Sequence, residues 1–137
     1  MPEITKKEMK TLLKAQQGEL NGVAMYRALS KTVKDPKDAE TFRKLAAEEG
    51  RHAAVFRKMT GKKLRPNKWK GVLLAAAYRM LGKKRLYPLI AQGEYAAEKN
   101  YMPVVKRFPE VKRVQADEKR HGDTVMALLD HNDVNAS

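Results

Sequence analysis

The chain has 137 residues, 42% of them hydrophobic and 33% charged, which suits one globular domain with its own core and excludes a disordered polymer. It contains no cysteine, and therefore no disulfide, thiolate zinc site, iron–sulfur cluster or cysteine nucleophile. The net charge of +13 is concentrated: twelve Lys and Arg and no acid stand between Gly50 and Gly93, while the rest of the chain nearly balances, with 17 basic and 16 acidic groups.

Helical periodicity runs through four long segments. The first spans about Thr5 to Val33, with Leu12, Leu13, Gln16, Glu19, Leu20, Val23, Tyr26 and Leu29 at three- and four-residue steps. Thr5 and Glu8 form a capping box at its start, and Asp35-Pro36 ends it. The second runs from Pro36 to about Met59, with Gly61 as the stop. A short apolar helix is expected over 68–81. The third covers about Lys84 to Phe108; Pro88 falls near its start, in a tolerant first turn, and Pro103 should kink its interior. Pro109 opens the fourth, which reaches about Leu129. No strand-like alternation of useful length occurs, so the class is all-α.

Connection lengths restrict the topology. Two or three residues join the first pair and the second pair, so each forms an antiparallel hairpin, over about 5–60 and 84–130. A crossover of about 61–83 separates them, long enough to run the length of a bundle. Short–long–short is the connectivity of a ferritin-like four-helix bundle, here with a short helix in the crossover. Residues 131–137 are a polar tail, expected to be flexible, and His131 within it carries no expected role.

The two halves also repeat each other. Gln17-Gly18-Glu19 with Tyr26 seven residues on is echoed by Gln92-Gly93-Glu94 with Tyr101 seven residues on, and Glu49-Gly50-Arg51-His52 by Glu118-Lys119-Arg120-His121. On a helix, residues three apart share a face, so each Glu-x-x-His pair can reach one site. Adding one inward Glu from each of the other helices gives the four-carboxylate, two-imidazole pattern of di-iron and di-manganese bundles. Two divalent cations would neutralise four carboxylates that could not otherwise be buried together, and the donor set suits iron or manganese.

With these motifs the chain resembles the rubrerythrin (erythrin) branch of the ferritin-like superfamily along nearly its whole length. The resemblance implies two non-haem irons held by Glu19, Glu49, His52, Glu94, Glu118 and His121, with Glu49 and Glu118 bridging and Tyr26 and Tyr101 close by. It also implies reduction of hydrogen peroxide. The family's usual iron–tetracysteine rubredoxin module is not in this cysteine-free chain, so electrons are expected from an external donor. The family tends to carry a second glutamate three residues after the one in the third helix; here that residue is Ala97. Glu98 lies beside it but points about 100° away on a regular helix, and becomes a ligand only if the helix distorts. Alternatives are a ferroxidase using dioxygen, a hydroxylase, which would need an apolar pocket by the metals, and a metal-binding adaptor without turnover.

The basic crossover can serve as a homodimer contact, as packing on the bundle, or as a helix on an anionic membrane surface through the 57–85 region. No helix-turn-helix or aromatic stacking pattern points to nucleic acid. The N-terminus has no signal-like apolar stretch, and the longest apolar run, Val72 to Tyr78, cannot span a bilayer. A cytoplasmic protein is expected, with peripheral membrane attachment open. Glu49→Ala or Glu118→Ala should remove most bound metal and His131→Ala should not, as metal analysis of the purified variants would show.

Overall fold

The structure is a computed structural model that describes residues 3–129; His131 and the expected tail lie outside them. Four long helices carry the bundle: α1 (Lys6–Thr32), α2 (Pro36–Thr60), α4 (Lys83–Asn100) and α6 (Pro109–Ala127). Between them lie α3 (Trp69–Leu81) in the crossover and the single turn α5 (Met102–Val105). There are no strands among the described residues.

Local chemistry accounts for the helix ends. Thr5 accepts from the Glu8 backbone N–H while the Glu8 carboxylate accepts from the Thr5 N–H, closing the capping box of α1. Asp35 caps α2 through the Lys37 N–H, Pro36 takes the first helical position, and Gly61 ends the helix at φ 69°, in the left-handed region. The prolines act somewhat differently from expectation. Pro88 falls in the second turn of α4, because that helix begins at Lys83, and the helix continues through it. Pro103 does more than bend the third segment. It has no N–H to give the Lys99 carbonyl four residues back, and its ring crowds that carbonyl, so α4 ends at Asn100 and α5, with Pro103 in its first turn, is a separate turn.

α1 pairs with α2 and α4 with α6, as the short connections require, and α3 returns across the outside of α1. Gly71 makes that approach feasible: a Cβ there would sit 2.9 Å from the Ala24 carbonyl oxygen.

Two apolar clusters form the core, one toward each end of the bundle. In the first, Phe42 stacks on Tyr26 at 5.7 Å and meets Tyr87 edge-on at 5.3 Å, with Leu29, Leu45, Leu86 and Ile90 around them. The second gathers Leu12, Phe56, Tyr101, Phe108, Val111 and Val114. Between the two lies a layer of buried polar groups. Because Phe42 is fully buried between two rings, Phe42→Ala should cost about 3–5 kcal/mol of unfolding free energy, read from the denaturant midpoint at constant slope.

Candidate metal centre

The polar layer is built from four helices. Glu19 comes from α1, Glu49 and His52 from α2, Glu94 from α4, and Glu118 and His121 from α6. All six are buried, His121 completely. Each sits on the inner face of its helix because the three- and four-residue spacing that aims Leu12, Phe42 or Val114 inward aims these residues inward too. Glu49, His52, Glu118 and His121 each bring one ligand-type atom within 4.8 Å of the others, the spacing of a metal-binding group.

The arrangement is quasi-two-fold. His52 Nδ1 lies 3.0 Å from Glu118 Oε1 and 3.4 Å from Glu19 Oε2. His121 Nδ1 lies 3.1 Å from Glu49 Oε1 and 3.7 Å from Glu94 Oε2. The two imidazoles stack at 5.4 Å and 20°. Tyr101 donates to Glu19 Oε1 at 2.7 Å and Tyr26 to Glu94 Oε1 at 2.5 Å, so each tyrosine from one half of the repeat holds the glutamate of the other. Burial and the adjacent carboxylates raise both phenols above their ordinary range, which keeps their protons in place for these bonds.

Electrostatics shows what the cluster lacks. Burial and the neighbouring carboxylate of Glu19 push Glu49 well above the usual carboxylate range; burial also drives Glu118 up to about 10, against the pull of His52. Burial acts on Glu19 and Glu94 too, but the neighbouring Glu49, His52 and Tyr101 around the first, and His121, Glu118 and Tyr26 around the second, outweigh it and hold both low. Within each glutamate pair, the burial cost thus falls on Glu49 and on Glu118. His52, despite burial, is raised to about 10 by Glu118, Glu19 and Asp117. Even so, Glu19 Oε2, Glu94 Oε2 and His121 Nε2 have no hydrogen-bond partner among the described residues. Buried orphan carboxylate oxygens facing imidazole nitrogens fit divalent cations, which would supply both the missing ligand contacts and the missing charge.

A second set of residues, not singled out in the sequence, holds the imidazoles from behind. His52 Nε2 meets Asp117 Oδ2 at 2.8 Å, and His121 Nε2 lies 3.6 Å from Glu48 Oε2, too long for a hydrogen bond but within ion-pair range. Arg120 spans the two carboxylates, bonding Glu48 and Asp117 together. Carboxylates on the outer nitrogens fix which nitrogen faces the site. A sequence signal exists: Glu48-Glu49 and Asp117-Glu118 extend the internal repeat one residue upstream.

A cavity of about 310 Å³ opens over the carboxylates of Glu19, Glu49, Glu94 and Glu118. Ala97 and Lys70 stand on its wall. The grouped ligand atoms include neither Glu19 and Glu94, which lie beside them, nor Glu98, which is half-buried on α4 and whose carbonyl accepts from Gln115 at 2.8 Å. Gly22 is needed beneath Glu49: a Cβ at that position would lie 2.7 Å from Glu49 Oε2.

A helical bundle with two Glu-x-x-His helices facing two further glutamates is a ferritin-like carboxylate bundle with a metal-binding site. The rubrerythrin family model matches residues 10–129, and the chain belongs to the rubrerythrin family. No individual curated protein and no solved structure matches it significantly.

Two outcomes follow from this geometry. Gly22→Ala should leave the helix intact or slightly firmer, since alanine is favoured over glycine by about 1 kcal/mol, while displacing Glu49 and lowering metal content; unchanged metal stoichiometry would contradict the packing. The metal-free protein should lose stability as pH rises from about 4.5, where Glu118 ionises in the unfolded chain, to about 10, with His52 adding to the loss above about 6.5. The folded-state values of Glu118 and His52 lie above their unfolded ones, so their contribution is full at low pH and fades as pH climbs through the folded values. Metal loading should release these protons and flatten that slope, as thermal melts across pH would show.

Proposed function

We propose that the chain is a dinuclear iron oxidoreductase that reduces hydrogen peroxide with electrons from an external donor. The observation that supports it is the six-residue layer with its orphan oxygens Glu19 Oε2 and Glu94 Oε2 under an open cavity. Glu19 with His52 would hold one metal and Glu94 with His121 the other, with Glu49 and Glu118 shared between them. Two ferrous ions there would supply the two electrons that, with two protons, split the O–O bond of peroxide into two waters, and the donor would restore them.

The protein's own residues have separate tasks. Tyr26 and Tyr101 position Glu94 and Glu19 through their hydroxyl protons. Asp117, tied to Arg120, fixes the His52 ring with Nδ1 inward. The apolar clusters on either side of the layer limit water to the cavity, which lowers the local dielectric and strengthens each of these interactions. The cavity suits a small oxidant, with room beside the Ala97 methyl.

A second reading, a ferroxidase that uses dioxygen and passes its iron on, is favoured by Ala97, which offers no ligand where the family tends to have a second glutamate. Stopped-flow mixing of anaerobic protein carrying about two Fe(II) per chain separates the two readings. Oxidation much faster with peroxide than with dioxygen, complete at one peroxide per two irons, is expected. Equal or faster oxidation by dioxygen would replace the peroxidase with the ferroxidase.

A further inference from the structure

The crossover helix α3 is apolar on two opposite sides. One side packs on the bundle through Gly71, Leu74, Ala77 and Tyr78, with the Tyr78 hydroxyl accepting from the Lys34 backbone N–H at 3.2 Å. The other carries Trp69, Val72, Leu73, Ala76 and Met80, whose spacing confines them to an arc of about 100° at 100° per residue. This outer stripe has no partner among the described residues: Trp69 is 71%, Leu73 64% and Met80 84% exposed.

Cations border the stripe on both sides. Lys70 stands on one edge and Lys68 with Arg79 on the other, all exposed. Beyond that second edge, a groove of about 560 Å³ between α1 and α3 has a floor of Val23, Ala24, Ala28 and Ala75 and a rim that includes Arg27, Lys31, Lys68 and Arg79. None of these five cations pairs with a described acidic residue, and no Asp or Glu occurs between Gly50 and Gly93. An amphipathic helix whose apolar stripe is flanked by unneutralised Lys and Arg matches the boundary of an anionic bilayer: rings and methyls enter the acyl edge while the cations meet phosphates.

A second copy of the chain fits less well. A two-fold contact would lay this patch on itself, and Lys68, Lys70 and Arg79 would face their own copies with no acid on α3 to offset them. We propose that the outer face of α3, with the cations of the α1–α3 groove, is a peripheral docking surface for membranes containing anionic phospholipid. Lys70 also lines the cavity over the carboxylates, so docking sets the rim of that cavity beside the lipid headgroups.

Trp69 is the chain's one tryptophan and reports on the stripe directly. The metal-loaded protein is floated with phosphatidylcholine vesicles and with vesicles that also contain phosphatidylglycerol, at low and moderate salt. Binding to the anionic vesicles alone is expected, with a blue shift of Trp69 emission and quenching by bromine-labelled acyl chains. The double variant Leu73→Glu/Met80→Glu should bind roughly tenfold or more weakly while keeping the metal content and helicity of the parent. Lys68→Glu/Arg79→Glu should weaken binding and reduce its salt dependence. The proposal is overturned by absence of binding to anionic vesicles or by binding without a Trp69 shift. A blue shift that grows with protein concentration in the absence of lipid also overturns it, assigning the face to a second copy.

Discussion

Four carboxylates buried within one layer of a helical bundle repel one another, and the rest of the molecule is arranged around that repulsion. Without metal the chain manages it only partly. Burial and mutual repulsion push Glu49 and Glu118 above the usual carboxylate range, the surrounding carboxylates raise His52, and two carboxylate oxygens still lack hydrogen-bond partners. A purely structural polar layer would be expected to satisfy its buried groups, because a half-satisfied one is costlier than an apolar core. The orphan oxygens are therefore the strongest sign that cations belong to the folded state, and the two apolar clusters that bracket the layer provide stability around it.

The same layer is nearly symmetric in its inner contacts and asymmetric outside them. Each half supplies a glutamate that the other half's tyrosine holds, and each imidazole turns Nδ1 inward. Behind the rings the symmetry breaks: Asp117 bonds His52 closely, Glu48 stands off from His121, and Arg120 ties the two carboxylates together. Two metals in this cradle would sit in unequal environments. The more tightly held imidazole, His52, also lines a second cavity, between α2 and α6, apart from the one over the carboxylates.

Much of this could be read in the sequence, because the signals were local. A capping box, Pro36 at the first position of α2, Gly61 after its end and Pro109 at the first position of α6 fix helix limits through backbone chemistry that needs no tertiary context. The Glu-x-x-His pairs likewise follow from helix geometry alone. What escaped depended on how helices sit against each other. Pro103 separates α5 from α4, with Tyr101 at the junction bonded to Glu19. Gly22 gives Glu49 room only because α1 and α2 approach so closely there. Glu48 and Asp117 reach the opposite hairpin's histidine, a relation that sequence adjacency to Glu49 and Glu118 hints at but cannot establish. The exposed stripe of α3 belongs to the same group: periodicity marks an amphipathic helix, while which apolar side stays uncovered depends on Gly71 settling against Ala24.

The central claim is that the carboxylate layer is a cradle for two metal ions. Anomalous diffraction at the iron edge from crystals of the iron-loaded protein tests it most directly. Two peaks about 3.5–4 Å apart between the imidazoles, one beside each Nδ1 and both within reach of Glu49 and Glu118, are predicted. A single peak, peaks only at surface carboxylates, or an empty layer with Glu49 and Glu118 hydrogen-bonded to each other or to water would contradict it.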